Sequence, residues 1–106
     1  MPRTQHPLSP TLTKLAAGLG QRIELARCRR DLSATLFAER VGISRNTLAR
    51  LEAGDPAVAL GTYLKALRVL GLEADISGVA GDDSLGRKLQ DSRSLRSHGR
   101  VNDSDI

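Results

Sequence analysis

The stretch from Leu32 to Gly54, LSATLFAERVGISRNTLARLEAG, restricts the fold of this chain more than any other. Two short segments flank Val41-Gly42-Ile43-Ser44, and each opens on a residue that starts helices. Ser33 and Ser44 can each accept a backbone N–H that the first turn of a helix leaves unpaired. Leu36, Phe37 and Val41 recur at helical spacing in the first segment, and Leu48 and Leu51 do so in the second. Gly42 stands where the first helix has to stop, and glycine enters the left-handed conformation there without a Cβ penalty. The pattern predicts two helices joined by a tight glycine-containing turn, the arrangement of a helix-turn-helix. Its second helix turns Arg45, Asn46, Thr47 and Arg50 to solvent, side chains that bond to base edges and phosphates. These residues predict a DNA-recognition element.

The charge is distributed to match. Between Lys14 and Arg50 the chain carries Lys14, Arg22, Arg27, Arg29, Arg30, Arg40, Arg45 and Arg50 against Glu24, Asp31 and Glu39. Between Leu51 and Gly86, Lys65 and Arg68 stand against Glu52, Asp55, Glu73, Asp75, Asp82 and Asp83. The basic half is the half with the helix-turn-helix, as a phosphate-facing surface requires, and the acidic half is expected to face away from DNA.

With Phe37 and Tyr63 as its only aromatic residues, the core of this 106-residue chain must be Leu, Val, Ile and Ala, which favours packed helices over a β-sandwich. A domain of this size has a modest core and benefits from a partner subunit. The single cysteine, Cys28, excludes an internal disulfide and leaves a zinc site without ligands. It is expected to lie against the fold as a small apolar residue. No stretch is long and apolar enough to span a membrane, and MPRTQHPLSPTLT lacks the apolar core of a signal peptide. A cytoplasmic, nucleoid-associated protein is expected.

Along the chain, residues 1–10, with Pro2, Pro7 and Pro10, predict a flexible arm in which Arg3 is free to touch a phosphate. A first helix is predicted from near Leu12 to Arg30, with Leu12, Leu15, Ala16, Leu19, Ile23 and Ala26 as its apolar stripe. Gly18 and Gly20 weaken its early part enough for a break there. Arg29 and Arg30 at its end suit either the helix dipole or phosphate contact. A further helix is predicted over residues 60–70 with Leu60, Tyr63, Leu64, Leu67 and Leu70 buried, stopped by Gly71. Residues 72–80 suggest a short helix, giving a helix-turn-helix domain over residues 11–80. A short helical extension follows over 81–90, capped by Asp82 or Asp83 and carrying Leu85 and Leu89. From residue 91 to 106 the composition predicts a disordered tail, basic at Arg93, Arg96 and Arg100 with Arg87 and Lys88 just before it.

The stretch from about Leu19 to Leu72 resembles the Xre-type family, the helix-turn-helix domains of lambdoid phage repressors. LSATLFAERVGISRNTLARLEAG and then YLKALRVLGL carry the likeness. The resemblance implies an all-α, compact five-helix, lambda-repressor-like domain, usually a homodimer, with its third helix in the major groove of double-stranded DNA. It also implies an ion pair between Arg27 and Glu52, which takes Arg27 out of the DNA contacts. Ala34 stands where family members often carry Gln, and Asp55-Pro56 where many carry Lys or Arg. Both departures remove phosphate contacts, which leaves Ser33, Thr35, Ser44 and helix N-termini to make them. GDPAVALGTYLKALRVLGL followed by DDSLGRKLQD is similar to HipB-like antitoxins, dimeric repressors that bind their own operators and sequester HipA-type kinase toxins.

These features predict two copies with their third helices in successive major grooves, roughly 34 Å apart on a near-palindromic operator. Arg45 and Arg50 suit guanine O6/N7, Asn46 suits adenine N6/N7, and Thr47 suits a thymine methyl or a phosphate. Catalysis is the weakest class. His6 and His98 lie in the chain ends, Asp82-Asp83 reads as a helix cap, and no glycine-rich phosphate loop is present, so no cofactor is expected. A stand-alone Xre-type regulator and a protein-interaction adaptor remain the rival readings.

Overall fold

A computed structural model describes residues 7–96, and among them every regular element is helical. The order is α1 (Pro10–Arg29), α2 (Ala34–Val41), α3 (Arg45–Glu52), α4 (Leu60–Leu70), a 3-10 helix over Glu73–Gly78, and α5 (Ser84–Arg96). The all-α class is the one expected. Arg3, His6, His98 and Arg100 lie outside the described residues. Contacts divide the chain into one unit ending at Ala74 and another beginning at Asp75, several residues before the expected boundary at 80.

In the first unit, α1 packs on α3 and α4, while α2 packs on both α3 and α4. The core between them is aliphatic around two rings, Phe37 and Tyr63. Phe37 is fully buried at its centre, with Ile23 and Ala26 from α1, Ala38 and Val41 from α2, and Leu48 and Leu51 from α3. Tyr63, Ala66, Leu67 and Leu70 enter from α4, and Val58 from the loop before it.

All four helices of this unit end in the same way. The residue after the cap takes, or the cap itself takes, a left-handed conformation, at Asp31, Gly42, Gly54 and Gly71. The next N–H then reaches back across the last turn: Leu32 to Arg27 O (3.2 Å), Ile43 to Ala38 O (2.9 Å), Asp55 to Arg50 O (3.0 Å) and Leu72 to Leu67 O (2.8 Å). Each bond satisfies a carbonyl that the helix end would otherwise leave open.

α1 departs from expectation in three respects. It starts at Pro10, because Ser9 Oγ accepts Leu12 N–H (3.2 Å) and a proline at the first helical position gives up an N–H that has no partner anyway. It runs unbroken through Gly18 and Gly20. Gly20 is buried, and a Cβ there would lie 2.5 Å from Gly54 N and 2.6 Å from the Leu51 and Glu52 carbonyls, so the residue is needed for close helix approach. Its apolar stripe also outruns the core: Leu12 and Leu15 are 49% and 65% exposed. Cys28 is exposed rather than packed, because it projects away from the face formed by Ile23 and Ala26. On α4, Leu60 is exposed in the first turn and Ala66 takes its place in the buried face.

The short helix expected within residues 72–80 is a 3-10 turn, Glu73–Gly78, which begins at the end of the first unit and is followed in the second by Ala80 in a left-handed conformation (φ 64°). α5 is longer than expected. Asp83 Oδ1 accepts Gly86 N–H (3.0 Å), and the helix runs on through Arg96 into the segment expected to be disordered. Straight-chain residues of high helix propensity, such as Arg87, Lys88, Leu89, Gln90 and Arg93, supply locally what apolar composition does not. Leu85, Leu89 and Leu95 are all exposed.

Candidate nucleic-acid interface

α2 and α3 form the helix-turn-helix, and local chemistry fixes both ends of each. Ser33 Oγ accepts Leu36 N–H (3.1 Å) and Ser44 Oγ accepts Thr47 N–H (3.0 Å). Gly42 closes α2 in the left-handed region at φ 88°. α3 is anchored to α1 by a two-pronged ion pair. Arg27 Nε donates to Glu52 Oε2 (2.7 Å) and Nη2 to Glu52 Oε1 (3.2 Å), while Nη1 donates to the Leu32 carbonyl (2.9 Å). The hydrogen bond to Glu52 pushes the Arg27 guanidinium above its ordinary range, against the opposing effect of burial. With all three arms engaged inside the fold, Arg27 has no hand to offer DNA.

With Leu48 and Leu51 buried and Glu52 held by Arg27, α3 presents the opposite face. Arg45, Asn46, Ala49, Arg50 and Ala53 are exposed there, and Thr47 is half-buried at its edge. Ala49 lies between the two arginines. It carries no polar group to mark it in the sequence, although a methyl side chain can meet a thymine methyl.

Both arginines are held by neighbours. Arg45 Nη1 donates to Thr35 Oγ1 (2.7 Å), joining the N-terminal turns of α2 and α3. Arg50 Nε donates to Asp55 Oδ2 (2.9 Å). The acidic half of the chain was expected to face away from the interface, and Asp55 does not. The turn at Gly54 brings its carboxylate back onto the last turn of α3. Asp55 Oδ1 accepts the Ala57 N–H (2.8 Å), and the buried Tyr63 hydroxyl donates to the Asp55 carbonyl (2.7 Å). The Ala57 bond first, then Arg50, hold the Asp55 carboxyl below the usual carboxylate range. Burial raises the Tyr63 phenol, helped by the nearby Asp55 charge.

The remaining candidates divide. Ser44 and Ser33 are both exposed: Ser44 Oγ accepts the Thr47 N–H and its hydroxyl donates to Thr47 Oγ1 (3.0 Å), whereas Ser33 Oγ accepts from Leu36 N–H. Arg30 Nη1 is turned onto its own helix, donating to the Ala26 carbonyl (2.8 Å), which is the helix-dipole role. Arg29 is exposed.

A family model for helix-turn-helix proteins matches residues 23–76, half of the chain, and takes in α2, the turn, α3 and α4 entire. The chain belongs to the Xre-type helix-turn-helix family. No curated protein and no solved structure matches it. As an Xre-type protein it is a DNA-binding regulator of transcription, in a family of binding rather than catalytic domains. Among the described residues of this Xre-type chain, no cluster of His, Cys, Asp and Glu is arranged to hold a metal ion. No helix among them is long and apolar enough to cross a membrane.

Proposed function

We propose that the protein is a dimeric repressor whose α3 reads a near-palindromic operator in the major groove. Arg45, Asn46, Thr47 and Arg50 make the base contacts, and Ser33, Thr35, Ser44 and Arg29 meet flanking phosphates together with the α2 N-terminus. Arg30 adds charge rather than a direct bond, since its guanidinium is engaged by Ala26. The observation that carries this reading is the exposed face of α3, where two held arginines bracket Asn46 and Ala49. Dimerisation is supported by the leucines that α1 leaves uncovered at Leu12 and Leu15.

The operator belongs to the protein's own operon, and the protein acts as antitoxin to a HipA-type kinase encoded beside it. The DDSLGRKLQ segment supports this: it lies outside the matched family region and forms the start of α5, with Leu85 and Leu89 exposed beside Arg87 and Lys88. A nucleoid-associated, cytoplasmic location follows from the same role.

The test is binding of the full chain to its own upstream DNA and to a scrambled duplex at two salt concentrations. Selective binding that weakens steeply with salt through counterion release is expected. Binding that ignores sequence, or shows no salt slope, would instead favour an adaptor on the same fold. Co-expression with the kinase encoded next door, followed by size-exclusion chromatography, tests the antitoxin role.

A further inference from the structure

We infer that Asp55 is a positioning residue that sets the aim of Arg50 and thereby the choice of one base pair. The inference rests on the reading of Arg50 as a base contact.

Arg50 and Asp55 are tied twice. The Asp55 N–H donates to the Arg50 carbonyl (3.0 Å), which fixes the two backbones, and Arg50 Nε donates to Asp55 Oδ2 (2.9 Å), which fixes the side chain. Asp55 is itself held from two directions, by Ala57 N–H on its other carboxylate oxygen and by Tyr63 Oη on its carbonyl. Tyr63 is buried in the core, so the support runs from the core to the recognition surface.

The bond to Asp55 uses Nε, which leaves the N–H groups of both Nη nitrogens for an acceptor. Two parallel donors at the end of a guanidinium match guanine O6 and N7. A free arginine must give up rotamer freedom to make that contact, and a held one has already done so. Asp55 is also a negative charge at a surface that must approach phosphates. By itself it weakens attraction to any duplex, so its contribution lies in discrimination.

That opposition gives the test. The full chain is assayed against its operator, against single-base-pair variants of it, and against a scrambled duplex. Arg50→Ala is expected to lose discrimination at one base pair by about fivefold or more. Asp55→Asn is expected to lose discrimination at that same pair while binding scrambled DNA more tightly than the wild type. The double variant should discriminate no worse than Arg50→Ala alone. Asp55→Ser, whose hydroxyl can still accept from Ala57 but is too short for Arg50, is expected to behave as Asp55→Asn does, and thermal melts confirm that each variant is folded. Full discrimination in both folded Asp55 variants, or an equal loss on every sequence, would overturn the inference while leaving Arg50 as a base contact. An Arg50→Ala variant with unchanged preference would overturn the base-contact reading, and the inference with it.

Discussion

Arg27 and Glu52 meet edge to edge across α1 and α3, with both side chains only 11% exposed. The pair joins the longest helix of the first unit to the end of the recognition helix, so it governs how α3 is held. Replacing both partners with apolar groups can be nearly neutral, whereas removing one strands the other's charge away from water. Glu52→Ala is therefore expected to cost about 3 kcal/mol in urea denaturation. Under conditions where the variant is folded, its sequence preference on DNA should match the wild type. A denaturation midpoint equal to the wild type's would show that the pair is not coupled to folding.

Gly54 and Gly42 are both left-handed, at φ 76° and 88°, yet they stand in different surroundings. A Cβ at Gly42 meets nothing within 4 Å, so Gly42→Ala carries only the backbone strain, about 1 kcal/mol. A Cβ at Gly54 would run into the backbone of Ala16 and Ala17 on α1, which cannot move aside without displacing the helix. Gly54→Ala is expected to cost about 3 kcal/mol or more, combining strain and overpacking. Paired thermal melts check the ranking, and equal losses at the two sites would contradict the close α1 approach.

This contrast marks what was legible in the sequence. The caps at Ser33 and Ser44 and the stop at Gly42 rest on bonds spanning a few residues, so residue type and spacing suffice to find them. Gly20 carried the wrong weight, because its poor helix propensity is visible in sequence and the Leu51, Glu52 and Gly54 backbone it admits is not. Periodicity likewise shows which side of α1 is apolar, but not that Leu12 and Leu15 extend past their covering helices. At the interface, the arginines were legible from their place on α3. Their supports were not, since Thr35 reaches Arg45 across ten positions and Asp55 reaches Arg50 only after the chain reverses at Gly54.

α1 is the one helix of the first unit that closes on a non-glycine left-handed residue, Asp31 at φ 54°. An acidic side chain at a helix C-terminus also opposes the dipole. Asp31→Gly relieves both, at some cost in unfolded-chain entropy, and is expected to stabilise the fold by about 0.5–1 kcal/mol. Asp31→Asn should recover part of that gain by removing the charge alone. Both changes also delete a negative charge beside Arg29 and Arg30, so affinity for scrambled DNA should rise in a filter-binding assay.

Tyr63 is the only tyrosine of a chain without tryptophan, so its ionisation can be followed by absorbance without interference. Its phenol is buried beneath Asp55, donates to the Asp55 carbonyl, and is raised above its ordinary value first by burial and then by the Asp55 charge. In the folded protein the phenolate should therefore form above the free value of about 10, and in denaturant it should return there. The sign of the linkage follows: a raised folded-state value gives stability that is complete below about pH 10 and is lost as pH rises through the folded midpoint. Tyr63→Phe removes the donor and leaves the Asp55 carbonyl short of a partner, a loss of about 1 kcal/mol at neutral pH. The variant should also lack the alkaline fall in stability contributed by this phenol. Stability profiles that run parallel for the two proteins from about pH 9 to about pH 11, roughly one unit either side of the free phenol value, would mean that this ionisation is not coupled to folding.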